Sequence, residues 1–249
     1  MSYSAIDIKD VSFAYAGQST RLFNQLNLSI NAGERFGLFG PNGAGKTTLM
    51  SLMTGLQHDW EGDITLLGNT IKTKSKAVNK LFGYVPQDFS FYEELTPVEN
   101  LAFFGAWAGL SKKEINARIE ELLDILNLKE AGNKMVSKLS GGMKRKVNLA
   151  IGVIHNPKIL FLDEPTVGVD VQARHDIINY LLALNKNGTT LIYTSHQLSE
   201  AEGLCNKIAL IDNGKIIAND TLENLLAQHR QDGLEGLFLS LTGNKYVNA

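Results

Sequence analysis

Apolar and polar side chains nearly alternate over the first thirty residues. Ile6, Ile8, Val11, Phe13 and Tyr15 form one run, and Leu22, Phe23, Leu26, Leu28 and Ile30 a second, with Gly17-Gln18-Ser19 between them. A period of two sends successive side chains to opposite faces of a pleated strand, so this stretch predicts antiparallel strands with one buried face. Arg35 to Phe39 is a short apolar strand that enters a glycine-rich turn, and good helix formers from Lys46 to Met53 follow until Gly55 stops them. Ile64–Leu67 and Phe82–Val85 read as further strands, separated by a lysine-bearing stretch, Lys72 to Lys80, that reads as a solvated face.

The pattern then changes period. From Asp88 to His155 helical punctuation replaces the strand signal: Thr96-Pro97-Val98-Glu99 and Ser111-Lys112-Lys113-Glu114 are both spaced as capping boxes. Lys158–Leu162 and Thr189–Thr194 return as almost wholly apolar strands, as in a parallel sheet covered on both faces, and a helix from Val171 to Lys186 lies between them. Asp212-Asn213-Gly214 joins Ile208–Ile211 to Lys215–Ala218 in a hairpin, and Thr221–Gln228 reads as a last helix. The expectation is an α/β fold with a mostly parallel central sheet, an N-terminal antiparallel β-subdomain and an inserted α-helical subdomain. Residues 1–87 and 156–230 form the core, 88–155 the helical insertion, and 231–249 a tail with little pattern.

Composition narrows the class. At about 150 residues per domain, 249 residues make one large domain or a core with an insertion, and 44% hydrophobic residues are ample for a full core. With 24 basic residues against 26 acidic, no positive excess advertises nucleic acid or an anionic membrane as partner, and no nucleic acid is expected. The longest apolar stretch, Leu101 to Leu110, is half the roughly 20 residues a spanning helix needs, and no export signal is visible, so the chain is expected not to cross a membrane. Cys205 is the single cysteine and reads as a buried thiol. His58, His155, His175 and His229 have no metal-type spacing, and Trp60 and Trp107 read as packing residues.

Gly40-Pro41-Asn42-Gly43-Ala44-Gly45-Lys46-Thr47 fits G-x-x-x-x-G-K-[ST] and sits after a strand and before a helix, where such a loop works. Its backbone N–H groups curl around phosphate oxygens while the helix adds the positive end of its dipole. Lys46 is expected on the β- and γ-phosphates and Thr47 on Mg²⁺, with Thr48 next to them. Ile159 to Leu162 is an apolar strand that ends in Asp163-Glu164. Beside a phosphate loop, Asp163 suits the Mg²⁺ shell and Glu164 suits the general base that polarises the attacking water.

Leu139-Ser140-Gly141-Gly142-Met143 opens a helix with an anion-binding terminus that has no anion of its own. Together with the phosphate loop, Gln87, Asp163-Glu164 and His196, this run resembles the nucleotide-binding subunit of an ATP-binding cassette (ABC) transporter, over nearly the whole chain and in the same order. The resemblance implies an ATPase that lies peripherally on the cytoplasmic face of the cell membrane, docked on a separate permease. It also implies a head-to-tail dimer, homodimer or heterodimer, in which Ser140, Gly141 and Gly142 of one subunit complete the ATP site of the other. By the same resemblance Tyr15 stacks on adenine, Gln87 senses Mg²⁺ and touches the permease, His196 orients the γ-phosphate and water, and Asp170 lies at the dimer seam.

Two departures stand out: Met143 occupies a position more commonly glutamine, and Gly168-Val169-Asp170-Val171 lacks a proline after the aspartate. Ser140 to Lys146, followed by Asn148-Leu149-Ala150, and Leu234 to Phe238 look like the exporter branch that includes drug and polysaccharide efflux systems. Lys144-Arg145-Lys146 reads as a solvated helix face, and the resemblance gives it a second reading, that it helps position the signature. Phe89-Ser90-Phe91-Tyr92 is either a pad for the helical subdomain or part of a permease groove. A soluble relative acting on DNA or ribosomes shares the two-sided site, but usually carries coiled coils or a second cassette. A small-molecule kinase leaves Leu139 to Met143 and His196 without a role.

Overall fold

The computed structural model describes residues 3–73, 75–195 and 198–243. In chain order it runs β1 (Ser4–Phe13), β2 (Phe23–Asn31), β3 (Arg35–Phe39), α1 (Lys46–Met53), β4 (Glu61–Leu66), β5 (Asn69–Thr70), α2 (Lys76–Asn79) and β6 (Phe82–Val85). Then come α3 (Pro97–Trp107), α4 (Lys112–Ile125), α5 (Gly141–Val153), β7 (Ile159–Asp163), α6 (Val171–Lys186) and β8 (Thr190–Thr194). The chain continues through α7 (Leu198–Leu204), β9 (Lys207–Asp212), β10 (Lys215–Thr221), α8 (Leu222–His229) and α9 (Leu234–Thr242).

The alternating N-terminal segments pair as expected, in an antiparallel sheet of order β2-β1-β4-β5. The alternation lapses between Ile8 and Val11 because β1 bulges there. Asp10 takes a φ of 51° and Gly62 of β4 comes so close that a Cβ would lie 2.4 Å from the Asp10 carbonyl oxygen.

The second sheet has the order β10-β9-β3-β8-β7-β6, parallel throughout except for β10, which returns through Asn213-Gly214, both at positive φ. It is buried on both faces, which is why β7 and β8 lack any polar alternation. Leu160, Leu162, Leu191, Tyr193, Ile208 and Leu210 join the core made with the helices, while Ile159, Phe161, Ile192, Ala209 and Ile211 face the core shared with β1, β2 and α1. The sheet therefore separates two apolar cores and exposes its C-terminal strand ends, the place where open α/β sheets bind ligands.

Thr96 with Glu99 and Ser111 with Glu114 form both capping boxes, and Asp170 and Thr221 cap α6 and α8. Four expectations are corrected. Trp107 is not a packing residue but stands 83% exposed on α3. Lys144-Arg145-Lys146 is not a solvated face: Arg145 and Lys146 are buried, Lys146 Nζ lies 2.5 Å from Asp176 Oδ2, and Lys144 pairs with Glu93. The tail carries α9, whose Leu234, Leu237 and Phe238 are buried against the helical side of the sheet. The lysine-bearing stretch is only partly a solvated face, since it contains α2 with a buried Val78 and Lys72 donates to the Gly62 carbonyl. Among the described residues no helix is long and apolar enough to cross a membrane.

Candidate nucleotide site

Between β3 and α1 the loop from Gly40 to Gly45 turns sharply, with Gly43 at φ 78° and Gly45 at φ 109°, values an L side chain rarely adopts. Gly45 caps α1 without any side-chain bond, so the first N–H groups of that helix point into the loop as an anion-binding end. The loop is held from behind by the β9–β10 turn: Gly214 N–H donates to the Ala44 carbonyl at 3.1 Å, and a Cβ on Gly214 would collide with the Leu22 carbonyl.

Lys46 curls over this loop and donates to the carbonyls of Gly40 at 2.8 Å and Pro41 at 3.1 Å. Burial lowers the pKa of its ammonium below the ordinary lysine value, and the carboxylates of Glu164 and Asp163 act in the opposite direction. Thr47 is exposed beside it, whereas the buried Thr48 bonds through Oγ1 to Tyr15 Oη at 2.6 Å. Tyr15 lies beyond the end of β1, edge-on to Phe13 and 41% exposed, with ring surface facing solvent.

The two carboxylates sit where β7 ends. Asp163 is buried and accepts the Thr194 hydroxyl proton at 2.6 Å. Glu164 is held at φ 50°, a left-handed conformation that costs a non-glycine residue about 1 kcal/mol or more and concentrates at functional sites. Its backbone N–H reaches both the carbonyl and the hydroxyl oxygen of Thr194 at 3.2 Å, and its Oε2 accepts from Gln87 Nε2 at 3.3 Å. A cavity of about 710 Å³ joins these groups, with Tyr15, Lys46, Thr47, Thr48, Gln87 and Glu164 in its wall.

Other candidates stand elsewhere. Ser140 caps α5, its Oγ accepting from Met143 N–H, and Gly142 packs so tightly on α6 that a Cβ would come within 2.9 Å of Asp170 Oδ2. Asp170 itself caps α6, accepting from Ala173 N–H at 2.8 Å. Ser140, Gly141 and Asp170 are exposed, form one surface, and do not line the cavity of their own chain. His196 lies outside the described residues. Sequence reasoning missed Thr194, whose polar end on an otherwise apolar strand was its only signal, and Asn213, which reads as a turn residue but lines the cavity.

The family model described as ABC transporter matches residues 23–167. The linearmycin resistance ATP-binding protein LnrL of Bacillus subtilis (strain 168) is 38% identical over 235 residues, covering 94% of this chain and 75% of that protein. The Nod factor export ATP-binding protein I of Rhizobium sp. (strain N33) is 38% identical over 229 residues, 92% of this chain and 75% of that one. Among solved structures, an ATP-binding subunit of an ABC transporter superposes with a TM-score of 0.88 at 29% identity, over 96% of this chain and 99% of the other. A nucleotide-free ATP-binding cassette with a TM-score of 0.79 at 23% identity shares the fold. With that family model across more than half of its length and the phosphate loop, strand-end carboxylates and strand order in place, the chain belongs to the ABC transporter family, as an ATP-binding subunit with ATPase activity.

Proposed function

We propose that the chain powers export through a separate membrane permease, on whose cytoplasmic side it sits peripherally, and that two such subunits close head to tail over two ATP molecules. The observation that carries this reading is the cavity wall itself, which assembles residues from positions 15, 46–48, 87 and 164 around one phosphate loop. The two relatives are named for linearmycin resistance and Nod factor export, which favours outward transport.

The geometry of the described residues supports the following roles, and that of His196 rests on the family resemblance. The N–H groups of Gly40 to Thr47 take the phosphates, Lys46 exchanges the carbonyls of Gly40 and Pro41 for β- and γ-phosphate oxygens, and the Tyr15 ring stacks on adenine. Glu164 takes a proton from the attacking water, and Gln87 bonds its carboxylate. The Thr47 hydroxyl, the Asp163 carboxylate and the Gln87 amide oxygen are hard oxygen donors of the kind Mg²⁺ prefers, and they fit that ion. Mg²⁺ when bound there would neutralise charge developing on the phosphates. Ser140, Gly141, Gly142 and Asp170, turned away from their own cavity, supply the surface that completes the partner's site, with His196 ordering the γ-phosphate and water. Residues 88–155 move as a helical unit against the core 1–87 and 156–230, and the C-terminal segment 231–249 adds α9 to that core.

A docking surface for the permease lies on that helical unit. Phe91 packs on the core and stacks on Phe89 at 5.0 Å, so it is the pad. Tyr92, edge-on to Phe103 at 5.2 Å, stays exposed, and with Phe103 and Trp107 gives aromatic anchors of the kind that dominate interfaces.

The test is complementation. Lys46→Ala and Ser140→Ala are each expected to lack hydrolysis, and mixed dimers regain it because one of their two sites keeps both groups. Glu164→Gln is expected to bind ATP, lose turnover by about 10²–10⁴-fold and accumulate a dimer on size exclusion. Absence of recovery despite demonstrated subunit exchange, or a Glu164→Gln protein that stays monomeric with ATP, overturns the shared-site reading.

A further inference from the structure

The signature helix α5 reaches back to the Gln87 loop through two side chains, Arg145 and Asn148, that have no role in the site described above. Arg145 Nη1 donates to the Gln87 carbonyl at 2.7 Å and to the Pro86 carbonyl at 3.4 Å, and its guanidinium lies 4.8 Å above the Phe89 ring. Asn148, one turn on along the same face, donates to the Pro86 carbonyl at 3.1 Å and accepts from both the backbone N–H and the hydroxyl of Ser90. Residues 86 to 90 are thus gripped at four points from one helix, and Gln87, in their midst, extends its amide to Glu164.

Arg145 is 5% exposed, and among the described residues it has no carboxylate within ion-pair distance and an Nε without a hydrogen-bond partner. Burying a guanidinium against carbonyls and a ring is a costly way to fasten a loop, since desolvation is not repaid by a full counter-charge. One guanidinium nitrogen, Nη1, spans two successive carbonyls while the guanidinium stacks on the Phe89 ring, a combination of contacts that a lysine ammonium does not reproduce. The same helix is capped by Ser140, on the exposed surface that does not line its own chain's cavity. One rigid element therefore joins that surface to the group bonded to Glu164.

We propose that Arg145, seconded by Asn148, is a positioning residue for hydrolysis, fixing the 86–90 backbone so that the Gln87 amide holds Glu164 in its working orientation. The inference rests on Glu164 acting as the base. Its signature is a change in turnover with nucleotide binding intact, because Arg145 bonds to the 86–87 backbone and is not among the residues in the cavity wall.

The experiment is a double-mutant cycle on the full chain with Arg145→Ala, Gln87→Ala and the double variant, measuring kcat, KM for ATP and the melting temperature of each. Arg145→Ala is expected to lower kcat by about tenfold or more with KM within about twofold of the unmodified chain. The double variant should lose no more than Gln87→Ala alone, because Arg145 acts through Gln87. Should Arg145→Ala fail to fold, Arg145→Lys enters the same cycle, keeping the charge without the fork. Multiplicative losses in the double variant, or a raised KM at unchanged kcat, overturn the proposal. Glu164→Gln run alongside separates the two readings: retained turnover there removes the base, whereas lost turnover with an additive cycle removes only Arg145.

Discussion

Thr194→Val isolates one oxygen beneath both carboxylates. The side chain is completely buried and valine has nearly its shape, so the substitution removes the hydroxyl and leaves its buried partners one hydrogen bond short. That hydroxyl donates to Asp163 Oδ1 at 2.6 Å and accepts the Glu164 N–H at 3.2 Å, which keeps the Thr194 carbonyl as a second acceptor. The main loss is therefore one hydrogen bond to a charged, buried oxygen, worth about 1.5–3 kcal/mol. In a chain of this size a kcal/mol moves the melting temperature by about 2–4 °C, so a fall of about 3–12 °C is expected. Because the hydroxyl also orients the carboxylate proposed to face Mg²⁺, the half-saturating Mg²⁺ concentration for ATPase activity should rise about 10-fold or more. Thr194→Ser keeps the oxygen and serves as the control, losing only a methyl group. Calorimetry and a Mg²⁺ titration on both variants check this, and a valine variant as stable and as Mg²⁺-responsive as the serine one refutes the reasoning.

The two signature glycines should separate fold from function. Gly142→Ala pushes a methyl to within 2.8 Å of Ala173 Cβ and is expected to cost about 1–3 kcal/mol, whereas Gly141→Ala meets nothing closer than the Gly168 carbonyl at 3.8 Å and should melt like the unmodified chain while losing hydrolysis. Melting curves beside turnover check the pair, and an active Gly141→Ala protein counts against an exposed surface serving the partner. Lys46 should make ATP binding proton-linked: phosphates favour the ammonium, burial has lowered its pKa, and so binding takes up protons at alkaline pH and weakens as pH rises through that lowered value. Titration calorimetry at about pH 9 in buffers of different ionisation heat reads the uptake, and its absence in the unmodified chain or persistence in Lys46→Ala refutes the assignment.

What the sequence made legible was local. The helix from Val171 to Lys186 and the strands Arg35–Phe39 and Phe82–Val85 coincide with the structure because periodicity, caps and flanking glycines agree within each window. The phosphate loop was legible because its chemistry is contiguous. Arg145 and Lys146 were misread because their partners, Gln87 and Asp176, lie 58 and 30 residues away and a charged triplet on a helix carries no sign of them. Helix α9 escaped because Leu234, Leu237 and Phe238 find their burial on other helices, and glycine at 233 and 236 weakens the intrinsic helix signal. Trp107 shows the converse, an apolar side chain that its own fold leaves uncovered.

The place of β3 in its sheet sets an order of events at the ribosome. That strand leads into the phosphate loop, yet both of its neighbours, β8 and β9, are encoded more than 150 residues downstream. At about 5–20 residues per second, β3 waits on the order of 8–30 s for them after it has been made. The β1–β2–β4 sheet, by contrast, closes within the first 66 residues and offers a folded platform early. The nascent chain thus carries its most glycine-rich and least self-sufficient segment unpaired for most of its synthesis. Nucleotide binding then marks completion: the cradle takes shape only once residues near 214, which brace Ala44 from behind, have left the exit tunnel.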